Sequence, residues 1–204
     1  MWYRVNPIIV LMVFCSSWAK GRPAPPFEVL RQEMIQVSQA VRNHLPETQA
    51  ATVALRTYSG LGSGVIVSPD GLVLTAGHIA ETSGRPIRAV LFDGSEVKGV
   101  SLGVSMLVDS GMIRLEQRDT PYPFVEVAPP GAYDKDDWCF ALGHPDGYQE
   151  DRGQVLRIGR ILSKRNYAIR SDCRLLGGDS GGPLFDTQGR VIGIHSRIGF
   201  RGDE

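Results

Sequence analysis

The chain has 204 residues, 22 Lys and Arg against 22 Asp and Glu, and is 42% hydrophobic. That suffices for one globular unit with a sizeable core, or for two small halves sharing an interface. The balanced charge, with no Lys/Arg-rich stripe, argues against a nucleic-acid partner. Twenty-four glycines and thirteen prolines separate short apolar runs, a pattern that points to an all-β protein rich in turns.

Taken from the amino end, residues 1–19 read as a signal peptide. Arg4 supplies the positive region, Pro7 to Phe14 a short apolar core, and Ser17-Trp18-Ala19 a small-x-small cleavage site. An uncleaved anchor is the alternative, but the apolar run is short for a bilayer, so no stable membrane insertion is expected after cleavage. Lipid attachment at Cys15 is disfavoured by bulky Phe14 before it. Export would permit a disulfide between the two remaining cysteines, Cys139 and Cys173; two buried free thiols are the preferred reading.

Gly21 to Pro26 reads as a linker, and residues 20–46 as linker plus one amphipathic helix. Phe27, Leu30, Met34, Val37 and Val41 recur at a 3-4-3-4 spacing and fall on one helical face, leaving Arg31, Glu33, Arg42 and Asn43 to water. Pro46 is expected to stop that helix. The apolar face can dock on the domain, or residues 27–45 can support a homo-oligomer; two heptads favour docking.

Six strands follow within residues 47–118, at Thr52–Tyr58, Gly64–Ser68, Leu72–Thr75, Ile87–Phe92, Glu96–Leu102 and Met112–Glu116, with a hairpin turn at Asp93-Gly94. That is the size of one small Greek-key barrel. Residues 119–136 read as a connection, since Gln117 to Asp136 holds four prolines. A second run occupies 137–204, with strands at Trp138–Leu142, Gln154–Leu162, Ala168–Ser171, Pro183–Phe185 and Val191–Ser196.

Gly177 to Leu184, Gly-Gly-Asp-Ser-Gly-Gly-Pro-Leu, carries the strongest chemical signal. Glycine before a serine lets backbone N–H groups converge on a developing oxyanion, and glycine after it admits substrate. Gly178 and Ser180 are the natural donors. Serine alone is a poor nucleophile and needs a base. Of four histidines, His44 lies in the helix segment, His144 in a Gly-His-Pro-Asp-Gly turn and His195 in an apolar strand, whereas His78 follows a strand where the chain leaves the first barrel. Asp109, between two apolar runs, can accept from the other imidazole nitrogen, although alone it would read as a turn residue. The chain order His, Asp, Ser fits a chymotrypsin arrangement, because α/β-hydrolases and subtilisins use other orders.

At these residues the sequence resembles the trypsin-like peptidases and, within them, the bacterial Deg/HtrA type. The resemblance rests on Gly62-Ser63-Gly64-Val65-Ile66-Val67, Gly71 to His78, Asp109 to Leu115, Ala141 to Pro145, and Asp172 through Ser180 to Ile194. It implies a chymotrypsin-like fold of two six-stranded Greek-key barrels with a catalytic cleft between them. It also implies an endopeptidase working through an acyl-enzyme on Ser180, with no metal or cofactor, on exported or misfolded polypeptides in the periplasm or outside the cell. His78, Asp109 and Ser180 occupy the triad positions, and Gly178 with Ser180 the oxyanion hole. Ser196 falls beside the triad aspartate, and Ser196, Arg197 and Ile198 pair with substrate. Arg174 and Leu175 fall near the specificity pocket, with His195 opposite. An inward Arg174 would favour an acidic side chain before the scissile bond, and an outward one leaves an apolar pocket.

Three departures accompany the resemblance. Asp179 stands where many Deg/HtrA proteins carry Asn; in trypsin-like zymogens the matching aspartate pairs with a newly cut amino terminus, yet no matching activation site occurs here, and its partner is not identified. The sequence ends at Glu204, nine residues after His195, so the second barrel is expected to lack its last strand. No PDZ domain is visible in the sequence, so the family's substrate-tethering behaviour is not expected of it. The expected function is an active endopeptidase; the alternatives are a catalytically inactive protease-fold binding protein and an esterase using the same triad.

Overall fold

The computed structural model describes residues 26–165 and 168–196; the predicted signal peptide, Arg197 and Ile198 lie outside the described residues. Helix α1 (Phe27–Ala51) leads into six strands, β1 (Thr52–Arg56), β2 (Leu61–Ile66), β3 (Leu72–Ala76), β4 (Pro86–Val90), β5 (Glu96–Ser105) and β6 (Ser110–Leu115), with the single turn α2 (Gly77–Ala80) after β3. They close into a barrel in the order β1-β2-β3-β6-β5-β4. β6 returns to lie beside β3, which is Greek-key connectivity. Strands β7 (Trp138–Gly143), β8 (Val155–Arg165), β9 (Ala168–Ser171), β10 (Pro183–Asp186) and β11 (Val191–Ile194) form a second antiparallel sheet. Its order is β11-β10-β7-β8-β9, so the described residues supply five of its strands in an open, curled half-barrel. Every strand read from the sequence is present, with ends shifted by a few residues.

Period-two alternation decides which side chains meet. The barrel interior is filled by Val53, Leu55, Ile66, Val73, Ile87, Ala89, Ile113 and Leu115. Strand β7 is buried on both faces, and alternation divides it: Phe140 and Leu142 join α1 and the first barrel, while Cys139 and Ala141 face Ile161, Cys173 and Leu184. Phe140 stacks on Phe185 with ring centroids 5.0 Å apart. Cys139 and Cys173 are free buried thiols. The neighbouring Cys173 thiol and then burial push the Cys139 thiol up from its ordinary value.

Helix α1 departs from expectation in three ways. It runs through Pro46 to Ala51. Proline removes one hydrogen bond, to the carbonyl of exposed Arg42, while the turn beyond it buries Thr48 and Ala51 completely. Thr48 Oγ donates to the His44 and Leu45 carbonyls at 2.9 and 3.1 Å, and Gln154 Nε2 donates to the Gln49 and Thr52 carbonyls at 2.9 and 2.8 Å. Packing and borrowed donors therefore outweigh the break. Phe27, expected on the buried face, is exposed. Glu33, expected in water, accepts from Trp138 Nε1 at 2.8 Å and from Arg160 Nη2 at 2.6 Å, with Arg160 stacked 4.0 Å from the Trp138 ring. Docking thus accounts for the Val37 and Val41 face.

Val41→Ala is expected to destabilise the chain by about 2 kcal/mol, because the site is buried and rigidly walled by Phe140 and its neighbours. Chemical denaturation with a tryptophan fluorescence readout checks it; an unchanged midpoint would mean that α1 is not docked.

Candidate active site

Each half of the chain contributes residues to the candidate site. β3 ends at Ala76, and α2 turns His78 out of the first barrel with its side chain 44% exposed. Asp109 sits in the tight β5–β6 connection at a φ of 47°. Its Oδ2 lies 2.9 Å from His78 Nδ1, its Oδ1 accepts from the His78 backbone N–H at 3.0 Å, and its carbonyl accepts from Gly77 N–H at 3.0 Å. Side chain and backbone together lock the imidazole orientation. Ser196, just after β11, donates its hydroxyl to Asp109 Oδ2 at 2.6 Å. Burial opposes the charge on Asp109, but the bonds from Ser196 and His78 outweigh it and hold the carboxyl below the ordinary carboxylate range.

Ser180 belongs to the turn before β10, which is stitched to the first barrel. Its carbonyl accepts from Ser63 N–H at 2.7 Å, and the Gly178 carbonyl accepts from Ser63 Oγ at 2.8 Å. Ser63 Oγ in turn accepts from His144 N–H at 3.0 Å, and the Ser63 carbonyl accepts from Thr75 Oγ at 2.8 Å. The flanking glycines are required by space as well as by φ. Gly178 has a φ of 91°, and a Cβ there would meet the His144 carbonyl at 2.5 Å. A Cβ on Gly181, φ 84°, would strike Thr75 Oγ and come within 2.8 Å of the Ala76 nitrogen. The turn therefore lies against the end of β3, two residues before His78. Gly181 N–H donates to the His195 carbonyl at 2.6 Å, and His195 N–H to the Gly182 carbonyl at 2.9 Å. Among the described residues the N–H groups of Gly178 and Ser180 donate to no protein acceptor. One free amide is that of Ser180 itself and the other lies two residues before it, on the far side of Asp179, an arrangement able to cradle an oxyanion.

Of the residues assigned to substrate recognition, Arg174 is exposed, Leu175 half-buried and His195 buried. His195 has no partner for either ring nitrogen among the described residues, nor has His144 for Nδ1. Burial, with Arg157 nearby, lowers His195 to about 4; burial, with Arg152 nearby, does the same to His144. Two residues went unrecognised in the sequence. Ser63 stood inside a quoted motif, where a hydroxyl between two glycines at a strand was its signal. Arg157, a lone cation in the apolar run Val155-Leu156-Arg157-Ile158, pairs with Asp179 at 2.8 Å and is the partner the sequence reading lacked.

The family model for the trypsin-like peptidase domain matches residues 62–194. The chain belongs to the trypsin-like peptidase family. Among curated relatives it is 33% identical over 147 residues to a Pseudomonas savastanoi protein named "Probable periplasmic serine endoprotease DegP-like", covering 70% of this chain and 30% of that one. A putatively assigned serine protease HhoB of Synechocystis is also 33% identical over 147 residues, covering 68% and 35%. A DegP-like relative in Chlamydia pneumoniae is 31% identical over 208 residues, covering 94% and 40%. The chain thus spans about a third of the length of these relatives. The crystal structure of the serine endoprotease from Yersinia pestis superposes with a TM-score of 0.63 at 26% identity, covering 78% of this chain and 56% of that one. The trypsin-like match is consistent with the double-barrel architecture, and no helix among the described residues is long and apolar enough to cross a membrane.

The two buried histidines make folding sensitive to acid. Below about pH 6.5 the unfolded chain takes up protons that the folded His144 and His195 resist until about pH 4. Stability is therefore full above this window and falls as the pH drops through it, by on the order of 3 kcal/mol per histidine. Asp179, raised by burial, works in the opposite sense because its folded form takes up a proton first. Thermal melts between pH 7 and 4.5 are expected to show a falling Tm, less steeply in His144→Gln; a flat profile would mean that the imidazoles are solvated.

Proposed function

We propose that the chain is a Deg/HtrA-like serine endopeptidase, with Ser180 as nucleophile, His78 as general base and Asp109 as the carboxylate that orients it. The observation that carries this reading is that the turn bearing Ser180 and its two free amides is bonded to Ser63 and lies against the end of β3, two residues before the His78 that Asp109 holds. Asp109 accepts from Nδ1–H and so directs the lone pair of Nε2 towards Ser180. Ser180 Oγ attacks the peptide carbonyl carbon while its proton passes to Nε2. The carbonyl oxygen, now anionic, lies in the Gly178 and Ser180 N–H cradle. His78 then gives the proton to the leaving amine, and water releases the acyl group by the same steps in reverse roles.

The substrates would be polypeptides, bound as a strand along Ser196, Arg197 and Ile198, with Leu175 and His195 bounding the pocket for the residue before the scissile bond. Arg174 is exposed, which favours the apolar form of that pocket. The predicted signal segment and the relatives named as periplasmic endoproteases support action on exported proteins, in the periplasm or outside the cell. Self-association through residues 27–45 would have to use the exposed Phe27, Val29 and Ile35, since Val37 and Val41 are docked.

A fluorophosphonate is expected to label Ser180, and casein to be cleaved. Ser180→Ala should abolish labelling and lower turnover by roughly four to six orders of magnitude, and Asp109→Asn by about four. A folded wild-type chain that neither labels nor cleaves would overturn the endopeptidase in favour of a binding protein on the same fold. Cleavage of esters alone would mean an esterase.

A further inference from the structure

We propose that Arg157 is a positioning residue for the nucleophile turn, holding Asp179 from within the second sheet and thereby keeping the Gly178 and Ser180 amides in their anion-binding arrangement. The proposal rests on Ser180 being the nucleophile. Asp179 is the residue between the two donor amides, and it points inward with 1% of its side chain exposed. Its Oδ2 accepts from Leu176 N–H at 2.8 Å and from Arg157 Nη2 at 2.8 Å, and its Oδ1 lies 3.3 Å from Arg157 Nη1. Arg157 is itself 13% exposed and comes from β8, paired in register with Ala141 of β7.

The surroundings are shaped for that carboxylate. Gly143 ends β7 directly against it, and a Cβ there would strike Oδ1 and come within 3.1 Å of Cγ. Burial pushes the Asp179 carboxyl up, while the Leu176 N–H and Arg157 oppose it. A carboxylate so enclosed is held only if a cation meets it, because a buried unpaired charge is strongly disfavoured. Arg152 acts on it as well, but its Nη2 already donates to the Pro145 and Gly147 carbonyls. Arg157 also lies beside His195, whose backbone brackets Gly181 and Gly182. A cation built into a strand does the work that a freed amino terminus does in a zymogen, so the turn is formed without a cleavage event.

The test uses the full chain and Arg157→Leu, Arg157→Lys, Asp179→Asn and the double variant R157L/D179N. Two readouts are taken, the fluorophosphonate labelling rate at Ser180 and amide hydrogen exchange along the chain. Arg157→Leu is expected to slow labelling by roughly a hundredfold, the size of losing one oxyanion donor, and Arg157→Lys by less. Exchange should rise in residues 176–182 while β1 to β6 stay protected. The double variant should label no more slowly than Arg157→Leu, since both single changes break the same pair. It also keeps the test open if Arg157→Leu does not fold, because it buries no unpaired charge. A tag blocking the amino terminus should leave labelling unchanged. Labelling within about twofold of wild type in Arg157→Leu and in the double variant would overturn the proposal. So would a uniform rise in exchange with labelling lost only in proportion to unfolded chain, or loss of labelling on tagging. If the wild type does not label, the nucleophile assignment falls. Exchange then decides alone: a rise confined to 176–182 upholds Arg157 as the residue that holds the turn, and no rise overturns it.

Discussion

Ser63 is the residue through which the two halves of the molecule meet at the cleft. It is fully buried, and each of its polar groups is used: N–H to the Ser180 carbonyl, hydroxyl between the His144 N–H and the Gly178 carbonyl, and carbonyl to Thr75 Oγ. A serine can do this because its hydroxyl both donates and accepts. Removing it would leave a buried N–H and a buried carbonyl unpaired, each costing roughly 1–3 kcal/mol. The geometry of the Ser180 turn is therefore set from outside its own sheet. The histidine–aspartate pair of one barrel and the serine of the other are registered through bonds only a few atoms long.

The polar seam has an apolar counterpart. Behind the cleft, Ala51 and Val65 from the first half pack with Phe140, Leu142 and Phe185 from the second, and α1 covers them with Val37 and Val41. Hydrophobic contact gives the two sheets cohesion without fixing their relative position to a fraction of an ångström, since it is non-directional. Hydrogen bonds give direction but little net stability. A site split between two sheets needs both, and here they occupy opposite sides of one interface. Helix α1 continues past Pro46 for the same reason. Its last turn carries Thr48 and Ala51 into that interface, and the burial outweighs one missing backbone bond at the exposed Arg42 carbonyl.

How far the sequence discloses this depends on the range of the interaction. The strands were legible because alternation is local and the Gly, Pro and Asp-Gly punctuation lies between them. The Ser180 turn and His78 were legible because their chemistry demands particular neighbours in the chain. Pro46 misled because a strong local rule was overruled by packing against strands far along the chain. Glu33 was placed in water since nothing near it in sequence announces Trp138 or Arg160, more than a hundred residues on. The partner of Asp179 was hidden in the same way: twenty-two residues separate it from Arg157, and only the pairing of β8 and β10 on either side of β7 brings them together.

The electrostatics of the second sheet follow from that register. His144, His195, Asp179 and Arg157 are all withdrawn from water around the Ser180 turn, and a low-dielectric setting strengthens whatever charges it retains. Burial resolves the crowd by keeping the two imidazoles neutral and leaving one carboxylate against one guanidinium. A neutral His195 near Arg157, like a neutral His144 near Arg152, avoids a further positive charge, which would repel the guanidinium. The pair that remains has no net charge, so it would not oppose the negative charge that the proposed acyl transfer would place on the neighbouring amides. Lone arginines in apolar strands are costly to bury; this one is explained by the carboxylate it meets, and that carboxylate by the turn it anchors.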